Sequence, residues 1–121
     1  LLPLAFFPIK FPIVDYDHET GKAVAGGFVY WGDDIPALRG CYVFGDIANG
    51  RLFYFNTTGI GPGDRPDLLE LSLFSSGRET TMAELVGSER VDLRLAQDAG
   101  GELLLLNKHD NVIRRLVGLE R

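Results

Sequence analysis

Two histidines, one cysteine and a few close-set carboxylates are the residues whose chemistry could go beyond solvation in this chain. His18 stands in DYDHETG beside Asp15, Asp17 and Glu19, a density of oxygen ligands that suits a hard cation. The spacing does not complete an EF-hand loop, so a solvated turn is the simpler expectation. His109 falls in KHDN, between two strand patterns, where a surface turn is expected. Asp33 and Asp34 are neighbours, and neighbours at a strand end point apart, so they read as surface charge rather than as an acid and base acting together. Cys41 is the only cysteine, which excludes an internal disulfide and a cysteine-based zinc site. Its place in an apolar strand pattern predicts a buried, inert thiol. No G-x-S-x-G elbow and no H-E-x-x-H helix occur. GIGPG (59–63) carries a proline and no following helix, which removes a phosphate cradle. Asn56-Thr57-Thr58 is an acceptor sequence for N-glycosylation in a eukaryotic secretory route.

The 121 residues suffice for one small domain with its own core. Fifteen glycines and six prolines in so short a chain predict many turns and short strands. The net charge of −5, with 17 acidic and 12 basic residues, leaves no basic stripe to displace counterions from phosphates, so no nucleic-acid partner is expected. The apolar opening LLPLAFFPIKFPI is broken by Pro3, Pro8 and Pro12 and has no basic flank, so it is not read as a signal peptide. No apolar run approaches the roughly 20 residues that span a bilayer, so no membrane span is expected. The start at Leu1 suggests a processed product or a fragment.

Apolar residues recur with period two almost throughout, the signature of strands. GGFVYW (26–31) is a first strand. GCYVFGD (40–46) and GRLFYFN (50–56) form a hairpin, with Asn49-Gly50 as a two-residue turn of positive φ. Asp46 is expected to fix that turn through its side-chain oxygens. LLELSLF (68–74) is a fourth strand, after the glycine- and proline-rich loop 57–67. The second half repeats the scheme with RVDLRLAQ (90–97), ELLLLNK (102–108) and NVIRRLV (111–117). The four leucines Leu103 to Leu106 suit a strand covered on both faces. Only ETTMAELVG (79–87) has helical character, one turn capped by Thr80 or Thr81 with Glu84 nearby. Four strands, a connector and three strands predict an all-β chain of propeller blades, about one and three-quarter antiparallel four-stranded blades. The expected segments are a proline-broken lead-in (1–15), a first blade with its long loop (16–78), and a connector with a last, incomplete blade (79–121).

The stretch GGFVYWG…IPALRGCYVFGDIANGRLFYF…ELVGSERVDLRLAQDAGGELLLLNK resembles the C-terminal part of the glucose/sorbosone dehydrogenase family, from about Tyr16 to Val117. Its most specific pieces are GG-x-VY (26–30), L-x-G-x-YVFGD (38–46) and D-x-GG-x-L (98–103). The resemblance implies a six-bladed propeller holding pyrroloquinoline quinone at its axis, with calcium as Lewis acid, in a periplasmic or extracellular setting. There a sugar hydroxyl or aldehyde is oxidised by hydride transfer to the quinone. The quinone bears three carboxylates, so its site needs guanidinium and ammonium groups. The family places a lysine just before the bend of the 40–56 hairpin, where this chain has Ala48. It also places Arg-x-Arg-Asp on an inner strand, where this chain has ERVDLR. Carried over, the cofactor-binding residues are Arg90, Asp92 and Arg94, a basic-acidic-basic row on one face of a strand by period two. The base and the calcium ligands belong to other blades. Tyr30, Trp31, Phe53 and Phe55 are either core between blades or a platform for stacking a sugar. The alternative is a non-catalytic module of the same blades that pairs with other chains through exposed edge strands.

Overall fold

The computed structural model describes residues 23–61 and 63–118, so the lead-in and the His18 cluster lie outside them. The described residues form short antiparallel strands with almost no helix, as the period-two pattern requires. A four-stranded sheet runs in sequence order through β1 (Val24–Val29), β2 (Cys41–Asp46), β3 (Leu52–Asn56) and β4 (Leu69–Glu70). A separate hairpin pairs β5 (Leu73–Ser75) with β6 (Arg78–Thr80), and one helical turn, α1 (Met82–Val86), follows. The last sheet orders β7 (Arg94–Gln97), β8 (Leu103–Leu106) and β9 (Arg114–Arg115). No sheet closes on itself among the described residues.

The register of β2 on β3 sorts the side chains by face. Tyr42 stands opposite Phe55 and Phe44 opposite Phe53, while Val43 stands opposite Tyr54 and Gly45 opposite Leu52. The first set makes an aromatic ladder, with ring centroids 5.5 Å apart for Tyr42–Phe55 and 5.7 Å for Phe44–Phe53, packed with Ile60 and Leu68. Cross-strand ring pairs of this kind add about 0.5–1.5 kcal/mol each beyond their buried area. On the other face, Cys41 and Val43 join Tyr30, Leu38 and Leu103 in one cluster, and Leu52 joins Met82, Val91, Leu93 and Leu105 in a second. Cys41 is buried as expected, and burial pushes its thiol pKa up, which keeps it unreactive. Gly45 lets Leu93 sit against the β2 backbone, since a Cβ there would lie 2.4 Å from Leu93 Cδ2.

Several boundaries differ from the sequence expectation. The Asn49-Gly50 bend is not a two-residue turn: Asp46 N–H donates to the Arg51 carbonyl (2.8 Å) and closes a four-residue loop. Only Gly50 has positive φ there (+76°), because the Asn49 side chain accepts the Arg51 N–H (2.9 Å) and holds its own backbone in the ordinary region. The turn with positive φ at both central residues falls instead at Ser76-Gly77, joining β5 to β6. The expected strand 68–74 is divided at Leu71–Ser72, its first part pairing with β3 as β4 and its last part pairing with β6 as β5. The expected strand 111–117 contracts to Arg114–Arg115. The helical turn forms as expected: the Thr81 hydroxyl accepts the Glu84 N–H (3.1 Å) and left-handed Gly87 ends it.

Gly50 brings the bend against α1 and the run before β7, since a Cβ there would lie 2.8 Å from Met82 Cβ and 3.0 Å from both Val91 methyls. Gly50→Ala combines this clash with a left-handed backbone, and should lower unfolding free energy by about 2 kcal/mol or more in urea denaturation. A loss under about 0.5 kcal/mol would show that the approach is not close.

Candidate functional site

Three chain segments converge where β1 begins, β2 turns into β3, and the chain runs into β7. The buried Asp46 carboxylate gathers the first two: Oδ2 accepts the Ala23 N–H (2.8 Å) and Oδ1 accepts the Asn49 N–H (2.9 Å). This matches the expected role of Asp46 in the bend. Ile47 N–H donates to the Ala23 carbonyl (2.7 Å), which leaves the Ile47 and Ala48 carbonyls facing the third segment. They accept the N–H groups of Leu93 (2.9 Å) and Val91 (2.8 Å).

That stitch corrects the strand expected over 90–97. Residues 90–93 bond to the bend rather than to β8, and β7 begins only at Arg94. Asp92 takes a left-handed backbone (φ +53°), a conformation that aspartate tolerates better than most residues. The alternation of burial survives, with Val91 and Leu93 inside and Arg90, Asp92 and Arg94 toward solvent. Arg90 Nε donates to Asp92 Oδ1 at 3.3 Å, and His109 Nε2 lies 3.7 Å from Asp92 Oδ2. Arg94 does not join them; its Nη1 donates to the Leu93 carbonyl (2.8 Å). The structure therefore gathers Arg90 and Asp92 with Ala48 nearby, and adds His109, which its turn position alone gave no reason to include. Its neighbour Asp110 is held at a pKa of about 2, chiefly by hydrogen bonding to Arg114 (2.7 Å), and fixes the turn that carries His109.

At the opposite end of the sheets lies a second polar group that sequence reading missed. Tyr30 Oη donates to Glu102 Oε1 (2.5 Å), while Oε2 accepts the N–H of Asp33 (3.0 Å) and lies 3.4 Å from the N–H of Asp34. Arg115 Nη2 stands 4.0 Å from the same oxygen and bonds Asp34 Oδ2 at 2.9 Å. Gly32 admits this carboxylate, since a Cβ there would sit 2.1 Å from Glu102 Oε2. Hydrogen bonding from Tyr30 holds the Glu102 pKa below the usual carboxylate range, against the opposing effect of desolvation. Burial, together with that bond, pushes the Tyr30 phenol up to about 12. The one legible cue was a glutamate directly before four leucines. All buried side-chain polar atoms among the described residues are satisfied, so this group reads as a fastener and not as a reactive centre. Asp33 and Asp34 carry surface ion pairs to Arg39 (3.6 Å) and Arg115 (2.9 Å), in keeping with their reading as surface charge. Of the aromatics weighed as a sugar platform, Tyr30, Phe53 and Phe55 are core and only Trp31 is exposed.

No group of three or more potential metal ligands occurs among the described residues, and no helix of the described residues is long and apolar enough to cross a membrane. No family model matches the chain, and no solved structure matches it.

A carboxylate whose folded pKa lies below its unfolded value stabilises fully above the unfolded value and loses that contribution as pH falls through the folded one. Glu102 and Asp110 both have lowered values. Stability should therefore drop as pH falls below about 4.5, the Asp110 part of the loss running on to pH about 2. Melting temperature followed from pH 6 to pH 2 checks this, and Glu102→Gln should flatten the upper part of the profile. An unchanged profile in that variant would remove Glu102 from the account.

Proposed function

We infer that this chain contributes consecutive blades to a β-propeller of the glucose/sorbosone dehydrogenase type, whose completed form oxidises a sugar hydroxyl or aldehyde outside the cytoplasm. The observation that carries this reading is the stitch between Ile47–Ala48 and Val91–Leu93. It places side by side the two stretches to which the resemblance assigns contacts with the cofactor. The packing of β1 against β7, the first strands of the two sheets, is the neighbour relation that successive blades require.

The residues present suit one edge of the quinone and not the whole of it. Arg90 is largely exposed, and Arg94 is exposed; each keeps donors beyond its bond to Asp92 or to the Leu93 carbonyl, so each can take a carboxylate. Asp92 offsets part of that charge, and Ala48 adds none. Three carboxylates and a calcium ion therefore need further groups from other blades. Bound there, the quinone would supply the hydride acceptor. This chain's part is to orient it through Arg90 and Arg94, and to hold Arg90 in place through Asp92.

A non-catalytic assembly module is the second reading, favoured by the exposed apolar residues Val112, Ile113 and Val117 around the last strand. Native mass by light scattering separates the cases first. An assembly well above 13.3 kDa that binds pyrroloquinoline quinone saturably, with binding weakened about tenfold or more by Arg90→Ala with Arg94→Ala, is the expected result. An intact six-bladed assembly that fails to bind the quinone would reject the dehydrogenase reading and leave the module.

A further inference from the structure

The four-stranded sheet carries β4 on its third strand, whereas the second sheet stops at β9. Leu116 N–H donates to the Leu103 carbonyl (2.9 Å), with Arg115 opposite Leu104 and Arg114 opposite Leu105. Antiparallel pairing then turns the N–H and C=O of Arg115 away from β8, and by alternation those of Val117 as well. Neither residue's outward backbone groups have a partner among the described residues.

Between β9 and the chain before β5 lies a groove of about 570 Å³, lined by Leu71, Leu73, Phe74, Leu116 and Val117, with Asp34 and Arg115 as its charged residues. A second hollow of about 240 Å³ shares Leu73, Phe74, Arg115 and Leu116. Phe74 is 44% exposed and Val117 61%. An unpaired strand edge beside an apolar trough is the setting for adding a strand, in which backbone bonds give affinity and alternate side chains give selectivity.

We propose that this groove receives an extended segment of another polypeptide as the fourth strand of the sheet, with apolar side chains at alternate positions and a carboxylate near Arg115. A second copy of this chain is the poorer occupant. Pairing β9 with itself would set Arg114 and Arg115 against the same residues of the partner, and like charges opposite each other destabilise a sheet. Arg115 engages Asp34 and Glu102 through Nη2 alone and is half exposed, so its remaining donors are open to a carboxylate. The first sheet already contains the pattern: Glu70 on its fourth strand takes two bonds from Arg51, just before its third, at 2.9 and 2.6 Å. The inference holds whether or not a completed propeller binds the quinone.

The test uses the full chain and a labelled peptide with the sequence of residues 68–74, LLELSLF, beside a counterpart carrying lysine for its glutamate. Fluorescence anisotropy should show saturable binding of the first and about tenfold weaker binding of the second. Val117→Pro removes an outward N–H without touching the ladder to β8, and should abolish binding at unchanged melting temperature. Phe74→Lys, at an exposed side chain that lines both hollows, takes its place if the proline variant does not fold, and should likewise abolish binding. Equal binding of the two peptides, or none, overturns the proposal. A concentration-dependent dimer lost in Val117→Pro assigns the edge to a second copy and overturns it too. Slow amide exchange at Arg115 in the peptide-free monomer, showing that the chain covers its own edge, does the same.

Discussion

The arrangement rests on the carboxylate of Asp46, fully buried at the end of β2. A buried ionised group is tolerated only when its oxygens are satisfied, and here backbone N–H groups from two segments do so. One bond ties the start of β1 to the sheet and the other sets the Ile47–Gly50 loop. With the loop so shaped, the carbonyls of Ile47 and Ala48 project to where Leu93 and Val91 donate. Asparagine in place of Asp46 would keep one acceptor and set an amide NH2 against the other N–H donor, so the two segments need both carboxylate oxygens.

The far end is held by the same physics with different partners. Glu102 collects a phenol and backbone N–H groups, and brings Arg115 of β9 within reach of the 31–35 loop. Between these two polar fasteners the apolar clusters are continuous in kind: Leu71, Leu95 and Leu116 pack against both. The polar groups fix register and direction, while the leucines and valines supply most of the driving force, about 1.5–3 kcal/mol for each fully buried side chain.

The strands of the hairpin at 40–56 were legible because their alternation is strict, and the helical turn because Thr81 and Glu84 are a recognisable capping pair. The bend between those strands was misjudged because Asn-Gly suits a two-residue turn locally, while the side chains of Asp46 and Asn49 stabilise a longer loop. Ser76-Gly77, a weaker signal, formed the tight turn instead. Period two suggested a strand through Arg90, Asp92 and Arg94, and it captured their outward facing. It could not show that the backbone N–H groups there bond to another loop, since that choice depends on carbonyls some forty residues earlier in the chain. The pairing of Tyr30 with Glu102 escaped notice for the same reason: only the packing of the two sheets makes them neighbours.

The same stitch bears on how the molecule assembles itself. The β2–β3, β5–β6 and β7–β8 pairs each close over short loops, whereas joining the bend to residues 91–93 closes a loop of roughly forty residues, at an entropic cost that local pairing does not meet. Each hairpin therefore closes at a lower entropic cost than the docking of the bend onto residues 91–93. Loosening the stitch at Ile47, Ala48, Val91 or Leu93 removes the contacts that offset this cost and leaves the pairing within each hairpin untouched.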